Sequence, residues 1–138
     1  MKETLAFQIA ALYRDFLSYT TETLKKLGLN FGQMPLILYV GKHPGCTQAV
    51  LTKTLKLDWG YSQRSTMKLV DAGFLRKEPD RIKSGNCLYL TEKGQNAFVV
   101  CHQVFGSWDG LHGEKLTSEE KENLLLLLNK MTAERKES

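Results

Sequence analysis

The sequence predicts a mainly helical fold with one small β-hairpin. Three observations predict it. Apolar residues recur at helical spacing through most of the 138 residues,. Residues 47–73 hold two short helical stretches joined by a tight turn and stopped by a glycine,. Beyond Gly73 the period shortens to that of a strand, then turn formers cluster over residues 79–86, then a second short strand follows,.

Each element can be justified in order. Leu5, Ile9, Leu12, Phe16, Leu24 and Leu27 follow an i, i+3/i+4 pattern, so residues 3–27 form a long first helix ending at Gly28,. Asn30 with Gln33 is a capping-box variant that opens a second helix,. Pro35 confines its start, Leu36, Ile37, Tyr39 and Val40 are its apolar residues, and Gly41, Pro44 and Gly45 end it,. Thr47 caps a short helix over residues 48–55, with Ala49, Val50, Leu51 and Leu55 as buried candidates,. Asp58 caps the next helix, which runs to about residue 72,. Strands are expected over residues 74–78 and 87–90. Thr91 caps a fifth helix carrying Phe98, Val99, Cys101, Val104 and Phe105, and the glycines of residues 106–113 are expected to break it,. Thr117 and Glu120 form a capping box for a last helix with Leu124, Leu125, Leu127, Leu128 and Met131, followed by a charged, frayed tail over residues 134–138,.

Composition narrows the function. The formal net charge is only +4, but residues 42–93 carry ten basic and five acidic side chains, while residues 94–138 carry five and seven. A basic middle between near-neutral and acidic arms is the footprint of a segment that meets a polyanion. No apolar run is long enough for a membrane span, and residues 1–11 do not read as a signal peptide,. Three separated cysteines do not indicate a disulfide framework, which makes a reducing cytoplasm the expected compartment,. No phosphate loop, nucleophile elbow or dinucleotide fingerprint is present, so an enzyme is not expected and no cofactor is implied,.

Helix, turn, helix and basic hairpin together make a winged helix-turn-helix. The second helix of the pair is narrow enough for the DNA major groove. Its exposed face would present Gly60, Gln63, Arg64, Met67 and Lys68, with Arg suited to guanine and Gln to adenine,. The N-terminus of the preceding helix, at Thr47 and Gln48, can point N–H groups at a phosphate,. The hairpin tip offers Arg81 and Lys83 to the minor groove or to flanking phosphates,. Tyr61 is expected to pack inward; Trp59 suits either inward packing or stacking on sugars and base methyls.

At this point the chain resembles the MarR (multiple-antibiotic-resistance regulator) family of transcription factors. The matching residues are Asn30-Phe31-Gly32-Gln33, His43-Pro44-Gly45-Cys46-Thr47-Gln48, Leu57-Asp58, Leu69, Gly73-Phe74-Leu75, Leu90-Thr91-Glu92-Lys93-Gly94 and Leu116-Thr117-Ser118-Glu119-Glu120. The likeness runs from residue 5 to residue 131. It implies one domain, with residues 30–93 as a DNA-binding lobe and residues 1–29 and 94–138 as dimerisation helices. It further implies a homodimeric repressor on a pseudo-palindromic operator in double-stranded DNA. Leu5, Ile9, Leu12, Leu124, Leu127, Leu128 and Met131 would line the dimer interface, since they are more apolar surface than a small monomer buries,. Arg64 falls where the family carries its recognition-helix arginine, and Asp80-Arg81 resembles its acidic-basic wing pair. Two departures stand out: a wing about one residue short with thinned basic residues, and Ser62, Ser65 and Thr66 at positions where apolar residues are commoner.

The resemblance also implies a small anionic or aromatic effector. Tyr13, Phe16, Phe31 and Tyr39 fit the lining of such a crevice, and they fit a plain core equally well. A protein-contact module is the alternative from another class. A thiol- or metal-responsive regulator is a further alternative, with Cys46 as the best-placed thiol, at a helix N-terminus. The family's peroxide-sensing thiol in the first helix has no counterpart, because no cysteine precedes Cys46. Cys101 and His102 are adjacent on a helix and share no face, so His43, Cys46, Cys101, His102 and His112 do not make a metal-ligand pattern,.

Overall fold

A computed structural model describes residues 3–82 and 85–133. The order of elements is α1 (Leu5–Lys25), a 3-10 turn (Phe31–Gln33), α2 (Met34–Lys42), β1 (Cys46–Thr47), α3 (Gln48–Thr54), α4 (Trp59–Asp71), β2 (Leu75–Pro79), β3 (Asn86–Leu90), α5 (Glu92–His112) and α6 (Ser118–Ala133). The mainly helical, winged helix-turn-helix architecture expected from the sequence is present.

Local chemistry explains most of the boundaries. The Thr4 hydroxyl accepts the Phe7 N–H and starts α1. Gly28 takes φ +78°, which turns the chain so that the Leu29 N–H reaches the Leu24 carbonyl,. Asn30 and Gln33 make a reciprocal capping box at 2.9 and 3.0 Å, which encloses the 3-10 turn before α2 begins at Met34. Thr47 caps α3 through the Val50 N–H, and Asp58 caps α4 through the Tyr61 N–H. Thr117 and Glu120 complete the second capping box at the start of α6.

Three expectations are corrected. The wing is not a hairpin alone: β1 adds a third strand, in the order β1-β3-β2, with Cys46 opposite Leu88 and Thr47 opposite Cys87. Helix α5 continues through Gly106 and Gly110 to His112 and stops only at Gly113. An interior glycine costs about 1 kcal/mol, which weakens a hydrogen-bonded helix without interrupting it. In α3, Ala49 and Val50 face solvent, while Leu51 is fully buried and Leu55 is half-buried.

The chain divides into two compact units, Met1–Val104 and Phe105–Ser138. The first holds a continuous core of Leu24, Leu29, Met34, Leu36, Ile37, Val40, Leu51, Leu69, Phe74, Leu75, Leu88, Leu90, Ala97 and Cys101. Two helix approaches in it depend on missing side chains. A Cβ at Gly41 would lie 2.2 Å from the Phe98 ring, and one at Gly94 would lie 2.0 Å from the Phe74 carbonyl oxygen. The Thr91 hydroxyl donates to the carbonyls of Gly73 and Phe74, tying the exit of the wing to the exit of α4. In the second unit α6 buries none of its described residues. The tail over residues 134–138 lies outside the described residues.

Candidate nucleic-acid interface

Helix α4 carries an unusual distribution of polarity. Its inward face holds Ser62 and Thr66, both fully buried, and Ser65, nearly so, beside Leu69. Buried hydroxyls need partners. Gln48, at the start of α3, supplies them: its side-chain amide donates to Ser62 Oγ at 2.8 Å and to Thr66 Oγ1 at 3.1 Å. Thr52 adds a hydroxyl pair with Ser62 at 2.6 Å and donates to its own helix at the Gln48 carbonyl. A polar latch thus sets the roll of α4 against α3. This is a job for the Gln48 side chain that the sequence did not suggest, because its partners lie 14 and 18 residues away.

That roll decides what faces outward. Trp59, Gln63, Arg64, Met67 and Lys68 are all exposed. Gly60 lies beneath Arg64: a Cβ there would stand 2.9 Å from Arg64 Nη1 and 3.4 Å from Asp58 Oδ2. Its missing side chain lets the guanidinium lie back along the first turn of the helix. Tyr61 corrects the expectation of inward packing: it is 41% exposed, and only its hydroxyl reaches back, to within 3.0 Å of where a Gly32 Cβ would stand.

The outer face of α4 meets the wing in a groove. Gln48, Trp59, Gln63, Arg64, Met67, Lys77, Gly85 and Asn86 line it. Sequence reasoning had not assigned Lys77 or Asn86 to the site. The strand register places them, because Lys77 pairs with Leu88 and shares the face of Leu75,. At the base of β2, Arg76 pairs with Glu78 and lies 4.5 Å over the Tyr89 ring. At the tip, the Asp80 carboxylate accepts the Ile82 N–H at 2.9 Å, and Arg81 is exposed beside it. Lys83 lies outside the described residues. The Thr47 hydroxyl accepts a backbone N–H within α3 and keeps its own proton to donate,.

The other expected sites separate. Phe31 meets Tyr13 and Phe16 edge-on, with ring centres 6.4 and 6.1 Å apart. Tyr39 is engaged elsewhere, donating to Thr54 and packing its ring, tilted by 38°, against His43 with centres 4.5 Å apart. Burial pushes the Cys46 thiol up to about 11, against the pull of its own backbone hydrogen bond, with Cys87 adding to the rise. Burial likewise raises Cys101 to about 11. Cys46 and Cys87 sit opposite Leu88 and Thr47 respectively, so their side chains leave the sheet on opposite faces,. Among the described residues no three His, Cys, Asp or Glu side chains gather as a metal site. No described helix is long and apolar enough to cross a membrane.

A short helix carrying a polar and cationic face, latched to a second helix and flanked by a three-stranded wing, defines the winged helix-turn-helix class. No protein-family model matches the chain. It is 35% identical over 132 residues to the HTH-type transcriptional regulator BilQ of Clostridium symbiosum, covering 95% of this chain and 92% of that protein. Its fold matches a MarR transcriptional regulator from Methanosarcina mazei with a TM-score of 0.83 at 24% identity, over 99% of this chain and 92% of the other. It also matches a Listeria monocytogenes MarR-family regulator, solved in complex with a 26mer DNA, with a TM-score of 0.79 at 22% identity over 96% and 89%. The chain belongs to the MarR family of transcriptional regulators, which are not enzymes.

Proposed function

We propose that this chain represses transcription in the cytoplasm by binding a pseudo-palindromic site in double-stranded DNA as a homodimer. The observation that carries the reading is the outward face of α4, where Gln63, Arg64 and Lys68 stand exposed beside the wing. These side chains have the donors that base edges and phosphates accept. Residues 30–93 act as the reader. Arg64 contacts a base, Gly60 gives its guanidinium room, and Trp59 and Gln63 face the groove. Lys68, Thr47, the backbone start of α3 at Gln48, Arg81 and Lys83 hold the phosphates.

Residues 1–29 and 94–138 assemble the dimer. Exposed Leu5, Ile9 and Leu12 on α1, and Leu124, Leu127, Leu128 and Met131 on α6, support that role. Two copies of a basic reader held at a fixed spacing would match two half-sites. Tyr13, Phe16 and Phe31 form the aromatic lining of an effector crevice for a small aromatic or anionic molecule. Its binding shifts DNA affinity by its differential affinity for the two states.

Selection of bound duplexes from random DNA tests the reading, together with light scattering of the free protein. The expected outcome is a dimer that enriches a two-fold symmetric site. Arg64→Ala should then weaken binding to that site by about 1–3 kcal/mol and relax preference at one base. A monomer that enriches no sequence would overturn the reading in favour of a protein-contact module.

A further inference from the structure

Helix α4 inverts the usual amphipathic arrangement. It buries Ser62, Ser65 and Thr66 and exposes three large apolar or aromatic side chains, Trp59 at 48%, Tyr61 at 41% and Met67 at 46%. The inversion is locked: Gln48 and Thr52 satisfy the Ser62 and Thr66 hydroxyls, so rolling the helix would break those bonds and strand the groups,. Trp59, Gln63 and Met67 stand four residues apart on one stripe, and all three line the groove beside the wing,. Lys77 and Asn86 close its other side.

An apolar stripe in a cationic groove calls for a polyanion with apolar points on its edge. In the DNA major groove the thymine C5-methyl is the apolar group that a base pair presents. We propose that Trp59 and Met67 read thymine methyl groups on either side of a base contact made by Gln63. The inference rests on the DNA-binding reading of this same face and names what that face selects. Eight residues of helix span about 12 Å, which is roughly three to four base pairs at about 3.4 Å each. Each half-site should therefore hold two T·A pairs about that far apart, with an A·T pair favoured between them, because Gln matches adenine.

The test starts from the duplex that the wild-type protein selects. Each thymine is replaced in turn by deoxyuridine, which removes one methyl and leaves base pairing unchanged. Losing one buried methyl contact corresponds to about a three- to five-fold loss of affinity. One position in each half-site should show that loss with the wild type and lose its sensitivity in Met67→Ala. A second should do the same in Trp59→Ala. Met67→Leu, which keeps an apolar side chain of similar size, should keep the sensitivity, and this separates methyl reading from damage to the fold. If every deoxyuridine duplex binds like its parent, or if the variants respond as the wild type does, methyl reading is wrong while the regulator reading stands. If the wild type selects no duplex, both readings fall together.

Discussion

The reader, residues 30–93 of the unit Met1–Val104, and the unit Phe105–Ser138 use apolar side chains in opposite ways. The first closes a core in which eight aliphatic or aromatic neighbours of the reader, from Leu36 to Leu88, are at or below 2% exposure, among them Ile37, Val40, Leu51, Leu69, Phe74 and Leu75. The second carries five consecutive leucines, residues 124–128, at 37–63% exposure. Consecutive residues on a helix step about 100° around it, so a run of five covers the whole circumference. A helical stretch apolar all round calls for burial, even where, as in α6, polar and charged residues flank it,. The difference teaches that the reader closes its core within one chain, whereas the leucines of α6 stay exposed in one chain and form the surface that the proposed dimer would cover.

Glycines give the largest test of that contrast. At Gly94 a methyl would press into the Phe74 carbonyl oxygen, a backbone atom that cannot swing away. Gly94→Ala should cost about 3 kcal/mol, measured by urea unfolding, and by the same amount at any protein concentration. At Gly106 a Cβ would meet nothing within 4 Å. Gly106→Ala should instead gain about 0.5–1 kcal/mol, the helix-propensity difference. A loss at Gly106 would show that a second chain packs against that glycine, and would place it inside the dimer interface.

Titration gives a second, smaller test of how closed the reader is. Cys46 belongs to it and Cys101 to the core it shares within Met1–Val104, and burial raises both thiols from 9.0 to about 11. A raised thiol pKa means that the folded state holds its proton more tightly than the unfolded state. Stability from this source is therefore full below pH 9 and is lost as pH rises towards 11,. At pH 8 both thiols should react with iodoacetamide roughly 100-fold more slowly than an unburied thiol, because the thiolate is the nucleophile. Rapid labelling of Cys46 would reveal an opening of β1 away from β3.

What was legible in the sequence was the chemistry that acts within four residues. Asn30 with Gln33, Thr47, Asp58, and Thr117 with Glu120 all cap where their spacing says they should. What was not legible depends on distant chain. Strand β1 has two residues, too few to show alternation, and exists because the Gly45 N–H and its neighbours find β3. The serines and threonine of α4 were visible as oddities, but Gln48 as their partner is a tertiary fact. Lys77 and Asn86 join the groove through strand register alone. The glycines of α5 misled because a local preference worth about 1 kcal/mol yields to a continuous hydrogen-bond ladder.

The smallest expected effect lies in the turn between α3 and α4. Lys56 has φ +55°, alone in this respect among the described non-glycine residues. The Lys56 N–H bonds the Lys53 carbonyl, and the Leu57 N–H bonds the Thr52 carbonyl, so the turn holds the residue there. A left-handed conformation costs an ordinary residue about 1–2 kcal/mol. Glycine removes that strain but loses more freedom on folding, which returns about 0.5–1 kcal/mol. Lys56→Gly should therefore stabilise by about 0.5 kcal/mol net. Because the turn belongs to the reader, the gain should appear in urea unfolding at every protein concentration and leave the dimer dissociation constant unchanged. A concentration-dependent gain would mean that the reader's stability is not its own, and that the contrast between the two units has been drawn too sharply.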